Sequence, residues 1–211
     1  LGSMLSEAAK KIDIKTVVLS DDPDAPAKNF ANKFIYGKYN DTKIITEFVN
    51  SVDLVTYEFE NIPFDILNEI NKSKSVLPKP EINSLIQNRL TEKDFLNKNN
   101  IRTTNYALIK NKDEIKDNEN LLPGLLKTTT LGYDGKGQYK LNSLIDINED
   151  IDFTKEYILE KFINLKKEIS IVICRFGNQK YEIYEPIENV HEDQILKHSK
   201  IPAEISETIK V

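Results

Sequence analysis

Residues 132–138 read GYDGKGQ and say more about the fold of this chain than any other stretch. Three of the seven residues are glycine, and the stretch lies between segments 125–129 and 138–141, which we predict to be strands. Glycine lets the backbone approach a ligand closely and turn amide N–H groups toward it. Tyr133, Asp134 and Lys136 add a hydroxyl, an anion and a cation. The stretch predicts either a flexible loop that closes over phosphates or a glycine-rich hairpin.

Two common phosphate motifs do not describe this stretch. A Walker A loop would end in Gly-Lys-Ser or Gly-Lys-Thr, and a dinucleotide fingerprint would lead into a helix, whereas a strand is predicted here. The sequence also contains no cluster of His and Cys with metal-ligand spacing, no GxSxG and no Cys/His pair. These absences argue against covalent catalysis and a transition-metal site.

Charged residues on neighbouring predicted strands favour the phosphate-loop interpretation. Lys127 ends the strand before the loop, and a lysine beside a glycine loop is well placed to bind a phosphate. Residues 158–163, ILEKFI, form a further strand whose edge could read an adenine base, and Glu168 follows where a carboxylate could accept ribose hydroxyls. The alternative for Glu160 and Glu168 is ordinary surface charge, the commoner situation for glutamate.

The order of predicted elements indicates two kinds of sheet. Helices and short apolar strands alternate in the first third of the chain, which predicts a parallel sheet with helices on both faces. The helices are 3–11, 42–49 with Asp41 as N-cap, and one opened by Pro63; the strands are 16–19, 34–36, 53–59 and 75–77. Later strands follow in quick succession and predict antiparallel pairing: 106–109, 125–129, 138–141, 157–162, 169–176 and 181–184. Residues 111–120 are charged and predict a short solvated helix or a loop.

Two other segments carry candidate functional side chains. YEFENIP, residues 57–63, places Glu58 at the end of a predicted parallel strand, where ligands of open α/β sheets bind. IENVHEDQIL, residues 187–196, carries His191, which either faces a phosphate or is solvated in a loop.

Composition narrows the class of protein. The chain has 211 residues and a net charge of -5, which disfavours nucleic acid as a partner. No run is long enough to span a membrane, and the start does not read as a secretory signal. The single cysteine, Cys174, cannot form an internal disulfide, which favours the cytoplasm. It lies in the apolar run ISIVIC, so we expect it to fill the core.

The segments together resemble the 5-(carboxyamino)imidazole ribonucleotide synthases, which are ATP-grasp ligases. The resemblance rests on the order of YEFEN, QNRL at residues 87–90, Lys127, GYDGKGQ, Glu160 with Ile163, Glu168, and ENVH at residues 188–191. It implies a combined α/β and α+β fold: an N-terminal α/β preATP-grasp domain over 1–98 that lacks its first strand, an ATP-grasp lid over 99–163, and the start of a truncated antiparallel ATP-grasp domain over 164–211.

The resemblance also implies roles for individual residues. Those expected to bind ATP are Arg89, Lys127, Gly132, Tyr133, Asp134, Gly135, Lys136, Gly137, Gln138, Glu160, Lys161, Phe162, Ile163, Glu168 and His191. Those expected to bind 5-aminoimidazole ribonucleotide are Glu58, Tyr133, Asp134 and Lys136, with Lys136 and Asp134 also catalytic. The implied reaction carboxylates this ribonucleotide with bicarbonate and ATP through carboxyphosphate, in purine biosynthesis. A homodimer is also implied.

Departures from the family pattern leave alternatives open. Thr130-Leu131, Gln194 and Ile201-Pro202 stand where other residues are usual. The N-terminal glycine turn is represented only by Leu1-Gly2, and we expect the Mg²⁺ ligands beyond Val211, so we predict that this chain alone is inactive. The alternatives are another ATP-grasp ligase, such as the formate-using purine transformylase or biotin carboxylase, and a non-catalytic nucleotide-binding remnant.

Overall fold

The structure, a computed structural model, describes residues 1–132, 137–177, 180–192 and 195–209. The chain divides into two units, Leu1–Arg102 and Thr103–Val211. The three-domain division predicted from the resemblance, with boundaries at 98/99 and 163/164, stays a prediction.

The first unit combines helices with a short parallel sheet. Its helices are α1 (Gly2–Lys10), α2 (Thr42–Asn50), α3 (Phe64–Asn71), α4 (Pro80–Ile86) and α5 (Arg89–Lys98), with a 3-10 turn at Pro26–Asn29. Its strands β1 (Val17–Ser20) and β2 (Lys33–Tyr36) pair in parallel, with Val17 opposite Lys33. The apolar faces of these elements form one core of Ile35, Phe48, Val55, Ile62, Leu67, Ile70 and Val76.

Most predicted elements of this unit are confirmed, and two strands are not. Asp41 caps α2 as expected, because its carboxylate accepts from the amides of Lys43 and Ile44. Segments 53–59 and 75–77 were expected to be strands, but they make only the parallel bridge between Val55 and Val76. Pro78 has no N–H with which to extend the pairing, and on the other segment bends and turns lie within residues 58–62.

The second unit is built from antiparallel strands. They are β3 (Tyr106–Ile109), β4 (Gly124–Thr128), β5 (Gln138–Leu141), β6 (Tyr157–Lys161), β7 (Glu168–Ser170), β8 (Ile173–Arg175), β9 (Tyr181–Ile183), β10 (Ile187–Glu192) and β11 (Ile195–Lys200). Helix α6 (Lys112–Asp117) and 3-10 turns at Glu119–Leu121, Leu144–Asp146 and Glu207–Ile209 connect or follow them. Four strands form a sheet in the order β3-β6-β4-β5, three form a sheet in the order β11-β10-β7, and β8 pairs with β9.

The four-stranded sheet has one face in a core. Side chains alternate along a strand, so Leu126 of β4 and Leu159 of β6 point to the same face, where both are fully buried. Ile109, Ile115, Leu121, Leu141, Ile147, Ile151 and Tyr157 complete this core. The antiparallel pairing predicted for this part of the chain is confirmed.

Two predictions for residues 169–200 are wrong, and the loop alternative for His191 does not hold. The expected strand 169–176 is two strands, because β7 pairs with β10 whereas β8 pairs with β9. Residues 187–196 were treated as a possible loop but contribute β10 and the start of β11. Cys174 is exposed rather than part of the core, because it lies in β8, whose residues are exposed along its whole length.

Candidate functional site

The polar face of the four-stranded sheet carries a buried ion pair. Lys127 Nζ lies 2.8 Å from Glu160 Oε2, and the two side chains are only 20% and 11% exposed. The strand register explains why these two side chains are close. Lys127 pairs with Ile158 in β6, so Glu160, two residues further on, projects from the same face of the sheet as Lys127. Because both charges are largely withdrawn from water, each depends on the other for compensation.

Gln138 extends this polar face toward the glycine-rich stretch. It is the direct cross-strand partner of Lys127 in β5, so both side chains point to the same side of the sheet. The face thus presents a cation, a carboxylate and an amide at the edge where residues 132–138 connect β4 to β5. Such a set can hold a phosphate through Lys127 while Glu160 fixes the position of the ammonium group.

The described ends of the glycine-rich stretch have backbone conformations that constrain side chains. Gly137 has a φ of +69°, and a Cβ there would lie 2.8 Å from Thr128 Oγ1, so only glycine fits without a shift. Leu131 also has a positive φ, 59°, which disfavours a leucine. Leu131 is one of the residues that depart from the pattern expected from the resemblance. Tyr133, Asp134, Gly135 and Lys136 lie outside the described residues, whereas Gly132 is among them.

Residues 160–163, the segment predicted to bind the adenine base, lie at the end of β6 and just after it. The amide of Lys161 donates to Asn105 O, and the amide of Phe162 donates to Pro123 O, both at 2.9 Å. The Phe162 ring is partly exposed and has Lys140 Nζ 4.8 Å from its centroid, a cation–π arrangement. Ile163 is half exposed. Lys140 was not identified from the sequence, although its cross-strand position beside Leu125 puts it on the same face as Lys127.

A second pair of polar side chains lies on the three-stranded sheet. His191 Nδ1 is 3.3 Å from Glu168 Oε2, and their side chains are 36% and 44% exposed. Between Val190 and His191 the register shifts by one, because β11 carries an extra residue there, Lys197; a bulge of this kind re-aims side chains. The two residues assigned to ribose and nucleotide are therefore neighbours, on a different sheet from Lys127 and Glu160.

Hydrogen bonds and ion pairs hold this three-stranded sheet across its strands. Asn189 accepts from Ser199 Oγ at 2.8 Å and donates to Ser170 Oγ at 2.9 Å, which links β11, β10 and β7. Lys167 Nζ lies 2.8 Å from both carboxylate oxygens of Glu188. Hydrogen bonding from Lys167, helped by the amide of Glu204, lowers the pKa of Glu188 below its ordinary value.

In the first unit, Glu58 lies among polar groups at the carboxyl ends of the parallel strands. Its Oε1 is 3.4 Å from where a Cβ of Gly2 would lie, so it sits at the start of α1. Tyr39, which follows β2, is close enough to Asp21 and Glu58 to feel their charges; burial first, then Asp21, raises the pKa of its hydroxyl. Asp21 and Tyr39 were not predicted, although both follow parallel strands, as Glu58 was expected to do.

Arg89, the other predicted phosphate contact, is the first residue of α5. Asn88 caps this helix, because its Oδ1 accepts from the amides of Leu90 at 2.9 Å and Thr91 at 3.3 Å. Arg89 and Glu58 belong to the first unit, whereas Lys127, Glu160, Glu168 and His191 belong to the second.

Over residues 1–132, 137–177, 180–192 and 195–209, no three or more His, Cys, Asp or Glu side chains form a group that could hold a metal ion. None of the helices in these ranges has the length and apolar character needed to cross a membrane.

Two domain-family profiles match this chain, one over most of each unit. The ATP-grasp domain profile matches residues 94–211, and the ribonucleotide synthetase preATP-grasp domain profile matches residues 1–87. The chain is 36% identical to the N5-carboxyaminoimidazole ribonucleotide synthase of Brucella melitensis, over 98% of this chain and 59% of that protein. It therefore spans less than two thirds of the length of the curated relatives it matches.

Solved structures agree with the sequence matches. The N5-carboxyaminoimidazole synthetase of Staphylococcus aureus, complexed with ADP, superposes with a TM-score of 0.93 at 34% identity, over 100% of this chain and 57% of that one. The synthase of Aspergillus clavatus, in complex with ADP and 5-aminoimidazole ribonucleotide, gives a TM-score of 0.88 at 25% identity, over 99% and 56%. The resemblance and the ATP-grasp fold predicted from the sequence motifs are confirmed. Because the ATP-grasp profile covers more than half of its residues, this chain belongs to the ATP-grasp family.

Proposed function

We propose that the full-length protein containing this chain is an ATP-dependent carbon–nitrogen ligase that carboxylates 5-aminoimidazole ribonucleotide. The observation that supports this most is the Lys127–Glu160 pair, which faces the same side of the sheet as Gln138 at the edge of the glycine-rich stretch. Its relatives along nearly the whole chain are N5-carboxyaminoimidazole ribonucleotide synthases. Purine biosynthesis is the pathway that this activity serves.

The proposed reaction joins two transfers. A bicarbonate oxygen attacks the γ-phosphorus of ATP, and the bond from that phosphorus to the bridging oxygen breaks, giving carboxyphosphate and ADP. Carboxyphosphate releases phosphate and carbon dioxide. The exocyclic amine of 5-aminoimidazole ribonucleotide then bonds to the carbon of carbon dioxide and loses a proton. Phosphoryl transfer of this kind depends on positioning and charge neutralisation more than on covalent help from the protein.

Lys127 is the residue we assign to charge neutralisation at the ATP phosphates. Glu160 restrains its ammonium group from the adjacent strand, so the cation is held in place before nucleotide binds. Pre-positioned charge costs little reorganisation when the phosphate arrives. Arg89 is the second proposed phosphate contact, and Gly132 to Gln138 form the proposed lid loop, which would exclude water from carboxyphosphate.

The other predicted site residues divide into those that would bind the nucleoside part of ATP and those that would bind the ribonucleotide. Within Glu160 to Ile163, the amides of Lys161 and Phe162 already donate to Asn105 O and Pro123 O, so adenine would contact the remaining backbone groups after the end of β6. Glu168 would accept ribose hydroxyls, and His191 would lie close to the nucleotide. Glu58 would contact the ribonucleotide together with Tyr133, Asp134 and Lys136, and the last two would act in catalysis. A neighbouring tyrosine and acid, Tyr39 and Asp21, make the Glu58 region suitable for a polar ligand.

Mg²⁺ is the metal expected of this reaction, where it would neutralise phosphate charge. Among the described residues, no three His, Cys, Asp or Glu side chains form a group that could hold it, and we assign no step to it. We also propose a cytoplasmic homodimer, to be checked by light scattering on the full-length protein. Inactivity of the 211-residue chain alone stays a prediction, which a phosphate-release assay on that chain would check.

The central experiment is an ADP-release assay on the full-length protein with ATP, Mg²⁺, bicarbonate and 5-aminoimidazole ribonucleotide. We expect ADP release that depends on the ribonucleotide. Asp134→Ala should impair ribonucleotide-dependent turnover while leaving ATP affinity nearly unchanged, since Asp134 carries a polar group beyond what phosphate binding requires. Asp117→Ala, at the end of α6, is the matched control. ADP release with formate or another acceptor, but not with the ribonucleotide, would identify a different ATP-grasp ligase.

A further inference from the structure

Gln87, at the end of α4, donates two hydrogen bonds to the loop that carries Glu58. Its Nε2 lies 2.6 Å from Glu60 O and 2.6 Å from Ile62 O. Asn83, one helical turn earlier, donates from Nδ2 to the same Ile62 carbonyl at 3.0 Å. Two amide side chains of one short helix therefore converge on the backbone of residues 58–62.

The loop makes few backbone bonds of its own that would fix its shape. It follows the isolated bridge at Val55 and precedes α3. Within the loop, the hydrogen bond from the Ile62 amide to Phe59 O has a donor–acceptor distance of 3.5 Å and is therefore weak. Ile62 is buried in the core and anchors the end of the loop, whereas Phe59 is half exposed. The side-chain amides are therefore the short, well-formed bonds in this segment.

Asn83 and Gln87 differ in their surroundings. Asn83 is fully buried, so removing its amide would damage the fold itself. Gln87 is only partly buried, and its two acceptors lie on either side of Asn61. A change at Gln87 can therefore release the loop while the core remains packed.

The neighbouring phosphate candidate does not depend on Gln87. Arg89 begins α5, and the start of that helix is held by the Asn88 cap. Thr91 adds a second hydrogen bond between α5 and α4, because its hydroxyl donates to Leu85 O at 2.8 Å. Loss of the Gln87 bonds should leave these contacts in place.

We propose that Gln87 is a positioning residue for the acceptor substrate, the ribonucleotide. By donating to the carbonyls of Glu60 and Ile62, it fixes the conformation of the loop from which Glu58 contacts that substrate. This proposal rests on the proposed function. Gln87 itself touches backbone and not substrate, so its effect should appear in the KM for the ribonucleotide and not in the KM for ATP.

The test compares two replacements of similar length in the full-length protein. Gln87→Met keeps the bulk and removes both donors, whereas Gln87→Lys keeps a donor that can reach a carbonyl. We expect Gln87→Met to raise the KM for 5-aminoimidazole ribonucleotide about tenfold, since two hydrogen bonds are lost, with the KM for ATP within about twofold. Gln87→Lys should recover part of the loss.

A matched control removes a comparable bond elsewhere in the same unit. Asn99→Leu deletes the amide that donates to Phe95 O at 2.8 Å at the end of α5, and it should change neither KM. Unchanged ribonucleotide KM in Gln87→Met, or equal rises in both KM values with a lower melting temperature, would overturn the positioning role.

Hydrogen exchange separates failure of this proposal from failure of the proposed function. If the wild-type protein shows no ribonucleotide-dependent turnover, the proposed function fails, and the loop can still be examined directly. The amides of residues 58–62 should exchange faster in Gln87→Met than in wild type, because local opening becomes easier. Unchanged exchange there would show that Gln87 does not hold the loop.

Discussion

The four-stranded and three-stranded sheets of the second unit each carry a pair of polar side chains, and the two pairs lie in different surroundings. Lys127 and Glu160 lie on a sheet whose other face is packed into a core that includes the fully buried Leu126. His191 and Glu168 lie on a sheet in which every residue of β11 is exposed. The first pair is 2.8 Å apart and largely buried, and the second is 3.3 Å apart and substantially solvated.

The difference indicates which pair is organised before a nucleotide arrives. A buried pair on packed strands has already lost its side-chain freedom during folding, so binding a phosphate orders little more. An exposed pair is screened by water and must be ordered on binding. We therefore expect the Lys127 side to contribute more to nucleotide affinity than the His191 side.

The largest expected effect concerns the packing beneath the two sheets. Leu126→Ala should destabilise the full-length protein by about 2–5 kcal/mol, because it opens a cavity in a fully buried site. Leu196→Ala, in β11, should cost about 0.5 kcal/mol or less, since Leu196 is 51% exposed. Urea unfolding of both variants measures the difference. Similar losses would mean that Leu196 is covered in the full-length protein, and the contrast between the sheets would disappear.

A smaller effect is expected on nucleotide binding. Lys127→Ala should weaken ATP binding by about 1–3 kcal/mol, the range for a charge-assisted hydrogen bond. His191→Ala should weaken it by about 1 kcal/mol or less, because its pair is solvated. Titration calorimetry on the full-length variants gives both values. Unchanged affinity in Lys127→Ala would remove Lys127 from the site.

A double variant separates binding from folding in that experiment. Lys127→Ala takes the ammonium group away from the largely buried Glu160 carboxylate, which by itself is destabilising. Lys127→Met combined with Glu160→Gln removes both charges and should recover stability relative to the single variant. If ATP affinity stays low in this double variant, the loss reflects the missing cation at the phosphates. If it recovers to the wild-type value, Lys127 acts only within the ion pair.

The same contrast explains which elements could be predicted from sequence. Each strand of the four-stranded sheet carries apolar side chains on its core face, and all four strands were predicted within a residue or so of their bounds. Strands β10 and β11 contain Glu188, Asn189, His191, Lys197 and Ser199, so their apolar alternation is too weak to predict a strand. Cys174 shows the opposite error, since an apolar run indicated a core that this strand does not enter.

The sequence was enough to predict which residues belong to the candidate site, but not which of them contact one another. Lys127 and Glu160 were both singled out, yet their pairing depends on the register of strands separated by 33 positions in sequence. Gln87 stood in a recognised motif, but its donors reach carbonyls 25 and 27 residues away, which no local pattern encodes. Long-range register and packing therefore supply what sequence reasoning missed.

The smallest expected effect is a pH dependence within the exposed sheet. Lys167 lowers the pKa of Glu188 from its ordinary value of 4.5, with help from the Glu204 amide. A depressed carboxyl pKa contributes stability that is present above the ordinary pKa and is lost as pH falls through the lowered one. Glu188→Gln should therefore lower the urea midpoint at pH 7, and its difference from wild type should shrink below pH 4.5.

Asp146 is the matched carboxylate beside the four-stranded sheet, and it tests whether the acid response of Glu188 comes from pairing across strands. The amides of Asn142 and then Ser143 lower its pKa from 3.8, so its contribution is also lost in acid, but through bonds within one turn. Lys167→Met should reduce the acid-dependent contribution of Glu188, which keeps only the help of the Glu204 amide and Lys200, and should leave that of Asp146 unchanged. Urea midpoints measured from pH 7 down to about pH 3 compare Lys167→Met with Asp146→Asn. If Lys167→Met keeps the full wild-type acid response, the Lys167–Glu188 pair is too solvated to matter, and the exposed sheet is held by its backbone and by the Ser170–Asn189–Ser199 bonds.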